Sequence, residues 1–138
     1  MTTSSQAAQA IRKELKTAFP LIKFSVRSDN YAGGNSVDVR YDNGVPSKVV
    51  DEIVKKYQYG YFDGMTDSYT TQNVNETIPQ VQYVMVQRNV TDDIFSKVKL
   101  EIAKKFGIVD LLNEQEWRRV FHDWSYAVVN REVRDLAL

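Results

Sequence analysis

FSVRSDNYAGGNSVDVRY, residues 24–41, decides the fold. Phe24 and Val26 alternate with Ser25 and Arg27, and Ile22 with Lys23 extends the run backwards. Val37, Val39 and Tyr41 alternate in the same way with Ser36, Asp38 and Arg40. A period of two puts one set on each face of a strand. Between the runs, Ser28–Asn35 contains Gly33 and Gly34, which accept the positive backbone angles of a hairpin turn. The segment therefore predicts an antiparallel hairpin. Its apolar face turns to a core, and Ser25, Arg27, Asp38 and Arg40 point the other way.

On the N-terminal side, Ser4 or Ser5 is placed to cap a helix. Ala7, Ala8, Ile11, Leu15, Ala18 and Phe19 form its stripe, and Pro20 ends it. On the C-terminal side, Asn43-Gly44 is a turn, and Pro46 suits the first turn of a second helix. That helix buries Val49, Val50, Ile53, Val54 and Tyr57 and stops at Gly60. Residues 58–80 lack a period and predict a long loop. Val81–Arg88 is apolar on both faces, which predicts a strand in the sheet interior. Thr91 caps a third helix carrying Ile94, Phe95, Val98, Ile102 and Phe106, with Gly107 as its stop. Asn113 and Glu116 predict a capping box for a fourth. Trp117, Val120, Phe121, Trp124 and Val128 follow on it, and it runs on through Leu136 or breaks near Asn130. The expected class is α+β: a small three-stranded sheet, hairpin plus one strand, with about four helices in the order α-β-β-α-β-α-α. At 138 residues the chain predicts one domain, with an α/β core over 7–91 and a helical extension over 92–138.

Composition removes several chemistries. There is no cysteine, hence no disulfide, no thiolate zinc site and no cysteine nucleophile, as suits a reducing cytoplasm. His122 is the lone histidine and reads as structural or solvent-facing. No Gly-x-Ser-x-Gly and no phosphate-binding Gly-Lys-Ser/Thr loop occurs. No run approaches the ~18 apolar residues of a membrane span, and the N-terminal stretch lacks the pattern of a secretory signal. Eighteen basic residues balance eighteen acidic ones. A nucleic-acid reader normally carries a basic surplus.

Three constellations remain as sites. Arg27 and Arg40 flank Asp38 on the polar hairpin face, either as a cross-strand ion pair or as a donor platform for phosphate or carboxylate. FDGMTD, Phe62–Asp67, supplies Asp63 and Asp67, which with Asp38 could hold magnesium or calcium. More simply, Asp63-Gly64 is a turn. Tyr31, Tyr59, Tyr61 and Tyr69 offer rings for a partner, whereas Phe62 reads as a cover for the sheet. The partner-binding set is thus Arg27, Tyr31, Arg40, Tyr59, Tyr61, Asp63, Asp67 and Tyr69, with no catalytic residue and no cofactor. Trp117 and Trp124, seven apart, suggest a helix core or a homodimer seam.

AIRKELKTAFP (Ala10–Pro20), KFSVRSDNYAGGNSVDVRYDNG (Lys23–Gly44), FDGMTD (Phe62–Asp67) and YVMVQRNVT (Tyr83–Thr91) together resemble the large polyvalent protein-associated domain 29 family of bacteriophage and mobile-element proteins. The resemblance spans about residues 7–91. It implies an accessory role in the cytoplasm of a bacterial host: protecting incoming DNA, or countering host defence in the anti-restriction or anti-CRISPR manner. With balanced charge, a host defence protein is the favoured partner and nucleic acid the second. A metal-assisted phosphodiester enzyme using Asp38, Asp63 and Asp67 is the alternative, and a non-hydrolysing nucleotide-binding module a further one.

Overall fold

A computed structural model describes residues 2–138. The first helix, α1 (Thr3–Ala18), is capped by Thr2, whose Oγ1 accepts the Ser5 N–H at 3.2 Å. Ser4, expected as a cap, is instead buried and donates to Asn30 Oδ1 at 2.9 Å. The hairpin follows as β1 (Ser25–Tyr31) and β2 (Gly34–Asp42). They pair antiparallel with Arg27 opposite Asp38 and Tyr31 opposite Gly34. The turn is only Ala32-Gly33, shorter than the connection expected, and Gly33 takes φ 89°. A positive angle at the second turn position is what glycine supplies without steric cost.

α1 lays Ala7, Ala8, Ile11 and Leu15 against the sheet, where Val26, Val37, Val39 and Tyr41 are buried. Phe24 packs on Tyr41 at 5.1 Å. α2 (Ser47–Val54) ends in a 3-10 turn, Lys55–Tyr57. Tyr57 Oη and Lys56 Nζ both donate to the Glu14 carboxylate, at 2.7 and 2.6 Å, tying this turn to α1.

Residues 58–80, expected as loop, contain a second hairpin: β3 (Gly60–Asp63) and β4 (Ser68–Thr71). The clue was present, since aromatic and β-branched residues flank the Asp63-Gly64 turn. β5 (Tyr83–Asn89) completes the larger sheet, in the order β1-β2-β5. It is an edge strand, contrary to the interior place its apolar run suggested, and Met85 stands exposed on it. The Gln82 N–H binds Asn35 Oδ1 at 2.9 Å, and the Asn43 N–H binds Asn89 O at 2.7 Å. β2 and β5 therefore begin at the same end and run parallel. Such strands need a crossover, here the segment of α2 and the small hairpin.

The chain forms two compact units, the first running to Asp42 and resuming over Ser47–Arg88. The second joins Asn43–Pro46 to Asn89–Leu138. Its helices are α3 (Asp92–Phe106), α4 (Glu114–Phe121) and α5 (Ser125–Arg134). Val98, Ile102, Ala103, Ile108, Trp117, Val128, Val129 and Val133 form its core. Thr91 does not cap α3 through its side chain, because its hydroxyl is engaged with Asn43. Asn113 caps α4 through the Gln115 N–H at 3.1 Å, not as a box with Glu116. The long C-terminal helix breaks at His122, which adopts φ 58° and closes on Arg118 O at 2.8 Å. Glu114 holds the new start by accepting from the Ser125 N–H and hydroxyl. Among the described residues there are thus five α-helices and two sheets, against the four and one expected. Trp117 and Trp124 sit on no common helix: the first is fully buried, the second is the exposed N-cap of α5.

Candidate partner-binding surface

The polar face of the β1–β2 hairpin forms a shallow cleft of about 180 Å³ lined by Ser25, Arg27, Asp38 and Arg40. Arg40 Nε donates to Asp38 Oδ2 at 2.7 Å, so the ion pair lies along β2 and not across the strands. The other oxygen, Asp38 Oδ1, is buried without a hydrogen-bond partner. Arg27, opposite Asp38, is exposed and pairs with no side chain among the described residues. A guanidinium left without a partner presents its planar donor fork to whatever approaches.

Tyr31 shares that face, two pleats further along β1, and is exposed. Beyond it the tyrosines form a chain. Tyr69 meets Tyr59 edge-on at 5.7 Å and Tyr83 at 5.5 Å. Its hydroxyl donates to Gln82 O at 2.7 Å. Tyr59 and Tyr69 are therefore half-buried supports, not free contact rings. Gln58, a residue that sequence reasoning passed over, braces the same region. Its amide donates to Gly60 O at 2.7 Å and accepts from the Val84 N–H at 2.8 Å.

On this base stands the β3–β4 hairpin. Phe62, expected to cover the sheet, is 52% exposed, Tyr61 41% and Met65 98%. Asp63 Oδ1 accepts the Met65 N–H at 3.0 Å, as the turn reading required. Asp67 is exposed with φ 53°. No group of three or more metal-ligating side chains is assembled among the described residues, so Asp38, Asp63 and Asp67 do not converge as a metal site. The larger cleft nearby, about 500 Å³, is bounded by Asp51, Lys55, Gln58, Tyr61, Gln72 and Asn73. Gln58 spends its amide internally, and Asn73 Nδ2 donates to Lys55 O and Gln58 O. This cleft is largely the inside of a braced loop. His122 is exposed at the end of α4.

The tyrosine supports carry a pH signature. Burial first, then the charges Tyr59 and Tyr83 would carry, push the Tyr69 phenol up to about 12. Burial and the hydrogen bond to Glu14 push Tyr57 up to about 12 as well. Both raised values mean that the folded state prefers the neutral phenol. This stabilisation is complete below the ordinary value near 10 and drains as pH rises through 12. Urea midpoints therefore fall between about pH 10 and 12, and Tyr57→Phe lowers the plateau while flattening the fall. A midpoint independent of pH across that window would refute the assignment.

The fold and this surface define a small α+β module with an exposed aromatic hairpin. The chain belongs to the large polyvalent protein associated domain 29 family, whose model matches residues 2–101. The match reaches ten residues beyond the stretch read from sequence and takes in most of α3. The family places the chain among phage and mobile-element associated proteins. Comparison with curated proteins and with solved structures gave no match. No helix among the described residues is long and apolar enough to cross a membrane.

Proposed function

We propose that this chain is a non-enzymatic accessory protein of a mobile element that acts by occupying a host protein, in the manner of a counter-defence factor. The observation that carries this reading is the β3–β4 hairpin. Tyr61, Phe62 and Met65 project from a short two-stranded element whose base is locked by Tyr59, Tyr69 and Gln58. Large apolar side chains held on a rigid element make efficient anchors, because little conformational freedom is lost on binding. A protein partner fits better than nucleic acid. Asp63 and Asp67 flank the exposed rings, and the net charge of zero supplies no phosphate-seeking field. Arg27 and Arg40 add a donor fork for a carboxylate at the edge of the same unit.

Immobilised protein exposed to host lysate tests the reading by quantitative comparison with Phe62→Ala and Met65→Ser. Both side chains are exposed, so thermal midpoints stay within a degree or two. A specific partner is expected to be retained about tenfold or more less by Phe62→Ala, the ordinary cost of truncating an anchor. Equal recovery by wild type and both variants would sink it. Salt-sensitive retention of DNA, lost on Arg40→Ala, would favour nucleic acid instead.

A further inference from the structure

β1 is an edge strand, and its register shows which backbone groups it leaves open. The two-residue turn makes Tyr31 and Gly34 a hydrogen-bonded pair, so Asp29, Arg27 and Ser25 also bond to β2. Val26, Ser28 and Asn30 then direct their N–H and C=O groups off the sheet. Arg12 confirms this phase, since its Nη2 reaches Val26 O at 2.7 Å from outside the sheet. Ser28, Asp29 and Asn30 are all exposed, so the edge is open there. Proteins normally cover or blunt such an edge, because it is a ready template for another strand.

The side chains on this edge are self-complementary. Arg27 and Asp29 lie on one face, both exposed, and neither forms an ion pair among the described residues. Consider a second copy of β1 laid antiparallel with the two-fold axis at Ser28. Ser28 then faces Ser28, and Val26 faces Asn30 at either end. Every open backbone group finds a partner, and the Val26 carbonyl keeps a second lone pair for Arg12. Arg27 falls opposite Asp29 of the other copy, twice, in the closer non-hydrogen-bonded positions. Any shift of one residue would direct bonding groups away from each other, and a shift of two would set Arg27 opposite Arg27 in one direction or Asp29 opposite Asp29 in the other.

We infer that β1 is a self-association edge: two copies of this chain join through antiparallel β1 strands about Ser28, making one continuous six-stranded sheet. The surface needs no apolar patch, since backbone bonds supply the attraction and the Arg27–Asp29 pairs set the register. Isologous pairing of this kind closes on itself and does not propagate.

Sedimentation equilibrium of the full chain tests this. Mass is expected to rise with concentration to twice that of the chain. Ser28→Pro removes the central donor from an edge position that tolerates proline, and it is expected to leave monomer with its circular dichroism intact. Arg27→Asp and Asp29→Arg each set like charges opposite twice and weaken association about tenfold. An equimolar mixture of these two variants restores opposite pairing at both positions and is expected to form a heterodimer as tightly as wild type. A wild type that stays monomeric at millimolar concentration would overturn the inference. So would dimerisation indifferent to Ser28→Pro, or a mixture no tighter than its components.

Discussion

Replacing Trp117 by alanine is expected to lower folding stability by about 3–5 kcal/mol, the range for deleting a fully buried large aromatic. Trp117 is completely buried at the centre of the helical unit. It stacks on Phe121 at 5.7 Å with the rings 23° apart, and Lys99 Nζ lies 5.7 Å over its ring. Its indole N–H donates to Leu111 O at 3.2 Å, fastening the segment between α3 and α4. Alanine would leave a cavity bounded by three helices and orphan that carbonyl. Phenylalanine would keep most of the volume and lose only the hydrogen bond, so Trp117→Phe is expected to cost about 1–2 kcal/mol. Urea denaturation followed by circular dichroism separates the two. If Trp117→Ala cost less than 1 kcal/mol, the helical core would have to be assembled differently.

Gly60→Ala is expected to be the second most damaging change, at about 3 kcal/mol, near the top of the range for overpacking. A Cβ at this position would collide with the Thr70 carbonyl oxygen and come within 2.6 Å of the Tyr69 ring. Thr70 O belongs to the backbone of β4 and cannot swing aside, so the small hairpin must open. Gly34→Ala is the instructive comparison. There the closest obstacle is the far end of the Gln82 side chain, which can rotate away, with the Tyr31 ring at 3.0 Å. It is expected to cost about 1 kcal/mol. Near-ultraviolet circular dichroism of the tyrosines reports the difference directly. Gly60→Ala is expected to collapse the Tyr59–Tyr69–Tyr83 signal and with it partner capture. Gly34→Ala would leave both.

Local pattern carried far where one chain segment settles its own neighbours. The β1–β2 hairpin followed from alternation, α1 from its apolar stripe, and α3 from its stripe and the Gly107 stop. The apolar face of the hairpin came out as read, with Val26, Val37, Val39 and Tyr41 inside. Failures came where a distant residue decides. β5 has apolar side chains on both faces, yet pairs on one side only, and nothing within Val81–Arg88 encodes that. The break at His122 depends on Glu114 seizing the Ser125 backbone eleven residues on, while α4 itself shows uninterrupted helical spacing. Of the site, the Arg27, Asp38 and Arg40 cleft was legible because strand register brings them together. Phe62 was misplaced, since β3–β4 pairs as a separate two-stranded ribbon that leaves its ring exposed. Asp63-Gly64 was legible as a turn, and Asp63 Oδ1 accepts the Met65 N–H as that reading asks, whereas the distance from this turn to Asp38 depends on how two separate ribbons are placed and is not written in either segment.

The parallel placement of β5 beside β2 has a consequence for synthesis on the ribosome. β2 is complete at Asp42, but its neighbour is not finished until Asn89. At ordinary elongation speeds the nascent ribbon waits on the order of seconds with both flanks bare. Throughout that interval the outward Arg27, Asp29 and Arg40 keep the ribbon hydrated, while the flank that β5 will cover stays open to mispairing.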